Sequence, residues 1–538
     1  VTGRSARLTG GLAGAAVLIA ALTVLARVAG FGRTVVFSQA VGKSCLSDAY
    51  FTANQVPNIV FEIVAGGALA TLVVPVLAGP VDRGDREVVR RTVAAMVTWV
   101  VVLLLPLSLL AAALAGPVMS LLVQGDQGGC DPAEMAAVGA RMLVVFAPQI
   151  VLYGLAVVLY GVLQAHRRFT APALAPLVSS LVVIAAYLAY VPLAPADPDD
   201  LARLPSAAEL TLSVGTTLGV AALVVTAVAA VAPLRPGLRP TLRFPAGVAG
   251  RARGLAVAGL ATVAAQQLAV LAVVVLKGRG TVGALTDYNY AWAVFLLPWA
   301  ILAVPIATSA FPVLSARVAA GDHAAFDRTA AATTRAVLLA SGAGAAVLAA
   351  VAVPAAHFLD SAPGDRPEVL ARAIVAFAPG LLGYGLVAHL GRALFACDRN
   401  RAAAGATVAG WLAVVVADVV LVAVLPEDWV VAAFGLGNTV GMTVAGVLLL
   451  VVLVRARGPE AVRGLPRAAG TGVVAGTVGG LAGYAVAAAV GTGGQIMNVA
   501  TAALAALAAG AVFLAVAFPL DGGDLRAVLG RRVSGGTD

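Results

Sequence analysis

Fourteen apolar runs, each about 20 residues or longer, succeed one another along the chain and leave no stretch long enough for a separate soluble domain. Their approximate bounds are 8–33, 49–79, 93–123, 137–163, 170–192, 208–233, 254–276, 284–316, 334–356, 370–396, 402–425, 429–454, 469–490 and 496–519. A chain patterned in this way has one economical solution in lipid, an all-α bundle in which every backbone polar group is satisfied within its own helix. Composition agrees, with 61% hydrophobic residues, 11% charged residues and a mean hydropathy of +0.98. The first run is too long for a signal peptide and is followed by further spans, so it is expected to stay in the mature protein.

The basic residues orient the bundle. With the N-terminus inside, 25 of the 35 Lys and Arg residues fall in cytoplasmic segments and 6 in the opposite loops, which are also acidic at Asp131, Asp197, Asp199, Asp200, Glu427 and Asp428. The reading is a multi-pass protein of the cell membrane with both termini cytoplasmic. The net charge of +9 therefore reflects topology, and no interleaving of basic and aromatic residues points to nucleic acid. Four arginines remain inside spans: Arg27, Arg33, Arg141 and Arg392. An arginine at the centre of a membrane helix costs about 2.5–3.5 kcal/mol on insertion scales, so each asks for a use.

The chain also repeats itself. Residues 146–168 (FAPQIVLYGLAVVLYGVLQAHRR) and 377–399 (FAPGLLGYGLVAHLGRALFACDR) share ten identities in 23 positions at a constant offset of 231. Both copies run from an external loop to a basic cytoplasmic one, so the repeat is parallel and six spans long. This predicts an N-terminal lobe over 1–240, a C-terminal lobe over 241–458, two appended spans over 459–520 and a cytoplasmic tail over 521–538. Transporters made of two such halves hold their substrate between them. In the appendage, Gly472, Gly476 and Gly480 recur at four-residue spacing, the pattern of a close-packed helix seam.

The N-terminal block carries a specific signature. Arg27-Val-Ala-Gly30-Phe-Gly-Arg33, then Ser47-Asp48-Ala49-Tyr50-Phe51, Val56-Pro57-Asn58, Gly67-Ala68 and Val74-Pro75 resemble the opening of the MurJ/MviN family, the lipid II flippases of the multidrug/oligosaccharidyl-lipid/polysaccharide exporter superfamily. The likeness continues at Gly161-Val-Leu-Gln164, Ala173-Leu-Ala-Pro176 and Phe311-Pro312-Val-Leu-Ser315. It implies an alternating-access flippase with a cationic cavity for the pyrophosphate and sugar of an undecaprenyl-linked precursor, and a groove for the lipid tail on the last two spans. Membrane lipids, the lipid-linked oligosaccharide and cell-wall synthesis proteins are the implied partners. Guanidinium forks suit phosphate oxygens in a way a lysine cannot match. The chain departs from the family pattern where Phe61, Glu62 and Gly66 stand in place of an arginine pair and an acid, where Ala293 and Leu296 replace an arginine and a glutamate, and at Thr34.

The candidate cavity residues are thus Arg27, Arg33, Asp48, Asn58, His389 and Arg392, with Gly30, Gly32 and Pro57 as hinges. On a straight helix Arg27 and Arg33 stand about 120° apart, and the glycines are the means by which both would turn to one cavity. The opposing reading has the two arginines snorkelling or pairing with Asp48. His389 and Arg392 share a helix face, either toward a polar cavity or as a local packing pair. Asp418 is placed to bind a coupling cation or to pair with Arg392. No cofactor is expected, and the drive is membrane potential or a monovalent cation. No metal spacing among histidines and cysteines, no Gly-x-Ser-x-Gly, no catalytic carboxylate pair and no Walker lysine is present, so a non-enzymatic transporter is expected. Gly435-Leu-Gly437-Asn-Thr-Val-Gly441 lies in an apolar span and reads as helix packing rather than a nucleotide loop. Two rivals stand beside lipid II transport: export of another lipid-linked saccharide or a drug, and a transport-inactive scaffold for cell-wall enzymes. Cys45 and Cys130 both fall on the external side and either form a disulfide or stay unpaired, whereas Cys397 faces the cytosol.

Overall fold

The structure, a computed structural model, describes residues 2–63, 73–125, 128–234, 239–243, 248–360 and 365–530. It is helical throughout, with no strand among the described residues. The chain divides into two compact units, Val1–Gln267 and Leu268–Asp538. The division falls inside a helix, later than the linker near residue 240 and with the last two spans joined to the second unit.

Unit 1 holds α1 (Thr2–Ala40), α2 (Cys45–Phe61), α3 (Val73–Asp82), α4 (Arg86–Ala113), α5 (Ala115–Leu122), α6 (Pro132–Phe146), α7 (Gln149–Ala165), α8 (Thr170–Tyr190), α9 (Ser206–Val231) and most of α10 (Val248–Leu276). Unit 2 holds α11 (Ala284–Pro298), α12 (Val304–Ala319), α13 (His323–Leu359), α14 (Pro367–Phe377), α15 (Gly380–Ala396), α16 (Asn400–Val424), α17 (Val430–Arg457), α18 (Leu465–Val490) and α19 (Gln495–Gly530). Among the described residues twelve helices or fused helix pairs are long and apolar enough to span a membrane, and α14 with α15, bent by 44°, makes a thirteenth. The expected second span, 49–79, is represented by α2 and α3; the residues between them, including Gly66, Gly67 and Ala68, lie outside the described set, as does the tail beyond Gly530.

Local sequence explains the starts of these helices. Ser44 caps α2 through a reciprocal box with Ser47, accepting from its amide at 3.2 Å, and Gly42 makes the preceding turn at φ 72°. Asp85, Asp131 and Asp322 cap α4, α6 and α13 by accepting from the amides of Val88, Ala133 and Ala325. Cys45 opens α2 and Cys130 precedes α6, and the two are joined in a disulfide with Cα atoms 5.7 Å apart. Cys397 is free.

The repeat is written into the backbone of both units. Ala147-Pro148 separates α6 from α7, and Ala378-Pro379 separates α14 from α15, because proline lacks the amide that the ladder needs. The carbonyl just before each break is taken by a threonine from the helix alongside. Thr217 of α9 donates to Val145 O at 2.9 Å, and Thr439 of α17 donates to Ala376 O at 2.8 Å. One turn earlier, Arg141 grips Glu209 with its Nη2 2.7 Å from Oε2, and Arg372 pairs with Asp428. Arg141 and Arg372 are themselves 231 residues apart. One of the four intramembrane arginines is therefore a structural tie.

The appended helices are integral to unit 2. A Cβ on Gly342 of α13 would sit 2.7 Å from the carbonyl oxygen of Gly472, and one on Gly476 would sit 3.1 Å from Gly342 O. On the next face of α18, a Cβ on Gly479 or Gly483 would sit 2.8 Å from Ala509 O or 2.7 Å from Ala505 O of α19. The glycine spacing is thus a two-sided seam, in which absent side chains let three backbones touch. Gly435, Gly437 and Gly441 do the same for α17, against Ala376 of α14 and Asp418 and Val414 of α16.

Candidate functional site

In unit 1 the site is built from an aromatic knot. Phe37 of α1 packs on Tyr50 of α2 (5.4 Å between centroids) and edge-on to Tyr187 of α8 (5.1 Å). The Tyr50 hydroxyl lies 2.9 Å from that of Tyr187 and 2.7 Å from Thr216 Oγ1 of α9. Thr216 donates its own proton to Leu212 O, so Tyr50 donates to Thr216 and Tyr187 donates to Tyr50. All four of these side chains are buried, and together they fix the outer part of α1 against three other helices.

Arg33 stands one turn before Phe37, and its charge reaches the hydroxyls of Tyr50, Tyr153 and Tyr187. Arg27 and Arg33 are both exposed, and neither makes an ion pair or hydrogen bond among the described residues. Asp48 forms no ion pair with either arginine among the described residues, so the pairing half of the opposing reading does not hold. Asp48 is 5% exposed in the first turn of α2, where the positive helix end favours an acid. It supports the start of the helix and presents no open carboxylate. In this conformation neither Gly30 nor Gly32 bends α1. α1 runs unbroken through Gly30 and Gly32, so the arginines keep their helical separation of about 120°. A Cβ at either glycine would meet no atom within 4 Å. Pro57 is buried inside α2, which continues to Phe61.

Asn58 faces α7, where it accepts from the Tyr153 hydroxyl at 3.3 Å. The Tyr153 ring lies on Phe61 with centroids 4.3 Å apart. Glu62 caps the end of α2, exposed and without a hydrogen bond or ion pair among the described residues. The charges of Arg33 and Glu62 both act on Tyr153. Asn58, Phe61 and Tyr153 thus pack together between α2 and α7. Tyr153 was not singled out from sequence, although it is one of the ten identities of the repeat, paired with Tyr384.

In unit 2 the expected residues separate. His389 is fully buried in the seam between α13 and α15, with Nε2 3.0 Å from Thr333 Oγ1. Its neighbour Arg392 is half-buried and turns back to the carbonyl of Ala388 in its own helix. The pair shares a helix face as expected, but its histidine is a packing residue, because that face meets α13. Asp418 is fully buried in α16, and both of its oxygens lack a hydrogen-bond partner among the described residues, as do both polar atoms of Asn438. It does not pair with Arg392. Gly437 makes its room, since a Cβ there would fall 1.8 Å from Asp418 Oδ1.

The sequence model of the family described as Lipid II flippase MurJ matches residues 37–506, most of the chain. The chain belongs to the MurJ family. Its similarity to curated MurJ proteins is partial: it is 26% identical over 174 residues to the lipid II flippase MurJ of Burkholderia cenocepacia, and 36% identical over 69 residues to a probable lipid II flippase MurJ of Haemophilus influenzae. The matched stretches cover 32% and 13% of this chain and 33% and 14% of those relatives, so the chain spans a third or less of their lengths. Among solved structures, a MurJ lipid II flippase in an inward closed conformation superposes with a TM-score of 0.72 at 16% identity, covering 95% of this chain and 100% of that one. An inward-facing multidrug resistance MATE family transporter of the MOP superfamily superposes at 0.63 with 13% identity, covering 81% of this chain and 94% of that one. These likenesses fix the MurJ fold, a polytopic membrane bundle.

Proposed function

We propose that this protein is a flippase that carries lipid II, an undecaprenyl-pyrophosphate-linked peptidoglycan precursor, across the cytoplasmic membrane by alternating access. The observation that carries the reading is the pair Arg27 and Arg33, two exposed guanidinium groups on a membrane helix with no acid to neutralise them among the described residues. Such charges are costly in lipid unless they serve an anion, and a pyrophosphate offers the oxygens their forks fit. The protein acts as a transporter without covalent chemistry, with both termini cytoplasmic. An external disulfide between Cys45 and Cys130 agrees with that orientation. The inside-negative potential contributes about 2.3 kcal/mol per charge per 100 mV toward outward movement of an anionic headgroup. Asp418, buried and without a hydrogen-bond partner among the described residues, is the candidate for a coupling monovalent cation.

A second reading, transport of a different lipid-linked saccharide, is favoured by one observation: the exposed carboxylate of Glu62, which stands where the family pattern has an arginine. Depleting the protein in its own host and measuring which lipid-linked precursor accumulates on the inner leaflet separates the readings. Lipid II accumulation is expected. Accumulation of another undecaprenyl-linked sugar supports the second reading, and accumulation of none leaves only a scaffold for cell-wall enzymes.

A further inference from the structure

The proline break that the repeat places in both units is fastened unequally. In unit 1, Thr217 donates to Val145 O at 2.9 Å and itself accepts from Gln149 Nε2 at 2.9 Å. Ser108 of α4 adds a bond to Ala147 O at 2.8 Å, so both residues on the N-terminal side of Pro148 are braced from neighbouring helices. The ion pair beside the break holds Glu209 with a side chain only 8% exposed. In unit 2 the threonine bond to Ala376 O is kept, but Gly380 takes the place of Gln149, and no side chain donates to Ala378 O among the described residues. Asp428, the partner of Arg372, has a side chain 40% exposed, where water weakens an ion pair. α14 and α15 are bent by 44° at their break, whereas α6 and α7 bend less and run on as one span, Pro132–Ala165.

The missing brace is traceable to one helical turn. Leu104 of α4 lies where a Cβ on Gly154 would go, and Ser341 of α13 lies where a Cβ on Gly385 would go, and the repeat pairs these two glycines. Leu104 and Ser341 are therefore equivalent, and so are the residues one turn further on, Ser108 and Ala345. Unit 2 carries alanine where unit 1 carries its brace, and its serine stands four residues early, buried and without a hydrogen-bond partner among the described residues. The break itself reads Pro379-Gly380 against Pro148-Gln149, so the residue after the proline is the conformationally free one only in unit 2. We propose that the α14–α15 break is a moving hinge, at which α15 changes its angle to α14, while the equivalent break of unit 1 stays fixed. A hinge needs a few residues at an element's end that absorb a backbone change without breaking other bonds, and Ala378 to Gly380 are such residues. The moving limb carries Arg392, so the hinge re-aims that guanidinium. The inference needs only that the protein alternates between states, whatever its cargo.

Spin labels at equivalent positions read both breaks in the full-length protein in nanodiscs. Ala137 and Gln164 bracket α6–α7, and Glu368 and Phe395 bracket α14–α15 at the same offset of 231; all four are exposed. Each pair is changed to cysteine in a Cys397→Ser background, since Cys45 and Cys130 are bonded to each other. Over the 27 residues between labels a straight helix measures about 40 Å, and a bend of 44° shortens it by about 3 Å, a difference that double electron–electron resonance resolves. The 137/164 pair is expected to give one narrow distance, and the 368/395 pair a distribution broader by about 3 Å. Ala345→Ser, which transplants the unit 1 brace, is expected to narrow the 368/395 distribution and to lower complementation of a depleted host. The reverse change, Ser108→Ala with Thr217→Val, is expected to broaden the 137/164 distribution. Should Ala345→Ser lower the melting temperature, the unaltered units and the reverse change still decide. Equal widths for the two pairs without further substitution, or a narrowed 368/395 distribution with complementation intact, overturn the hinge.

Discussion

Arg167 and Asp398, 231 residues apart, are the only non-glycine residues with left-handed backbone among the described residues, at φ 58° and 61°. Each ends the second segment of a broken helix, and each is followed by an arginine whose amide reaches back five residues, Arg168 to Leu163 O at 2.8 Å and Arg399 to Leu394 O at 2.9 Å. Neither side chain is one that prefers this conformation strongly, so the turn is imposed by the bonds around it. Replacing Arg167 or Asp398 by glycine should raise stability by about 0.5–1 kcal/mol, read as a higher melting temperature in detergent.

Arg27→Ala and Arg33→Ala should each abolish complementation of a depleted host while protein levels and melting stay normal, because neither guanidinium supports a described contact. Lysine at either site should rescue poorly, since it lacks the fork. Full complementation by the double alanine variant sinks the role assigned to them.

Glycines that look alike in sequence should differ sharply. Gly342→Val puts carbon against the backbone of Gly472 and is expected to cost at least about 1–3 kcal/mol, with a lower melting temperature and loss of monodisperse protein. Gly30→Ala and Gly32→Ala meet nothing within 4 Å and should stabilise α1 by up to about 1 kcal/mol each. Loss of transport in those two alanine variants, with the fold intact, would mark a bend of α1 as part of the cycle.

Arg141→Met should destabilise unit 1 by about 1–3 kcal/mol, because it strands the carboxylate of Glu209, which is 6% exposed. Adding Glu209→Gln should recover part of the loss. Additive effects in the double-mutant cycle would show that the pair is not coupled.

Non-reducing mass spectrometry should recover a peptide joining Cys45 to Cys130, and replacing both by serine should cost about 2–4 kcal/mol. Cys397 should react with a membrane-permeant maleimide slowly at neutral pH and faster as pH rises, since burial pushes its thiol above the usual range and leaves little thiolate. An impermeant maleimide should reach it only once the membrane is opened. Labelling of intact cells from outside would overturn the assigned orientation.

Much of the fold was legible in the chain because lipid leaves few solutions. Apolar run length marks the helices, the repeated Phe-Ala-Pro stretch marks two equivalent spans without showing that each is broken at its proline, and four-residue glycine spacing marks a seam. The site was legible only where a residue's cost stands out, as with Arg27 and Arg33. His389 shows the limit: spacing places it with Arg392 on one face of α15, but nothing local reveals that α13 covers its ring through Thr333. Arg141 is the converse case, an arginine of the same conspicuous kind whose partner lies 68 residues away. Tyr153 is invisible for another reason. Tyrosine costs little in a membrane helix, and its hydrogen bond to Asn58 and ring contact with Phe61 exist only in the folded chain.

The bridge from Cys45 to Cys130 has a topological consequence. Its sequence separation is 85 residues, so α2 through α5 form a covalently closed ring, while α1, with Arg27 and Arg33, hangs outside it on a single strand. A single protease cut anywhere within that ring yields no separable fragment under denaturing conditions until a reductant is added, whereas a cut between α1 and Cys45 leaves the arginine-bearing helix held by packing alone and separable in denaturant without one.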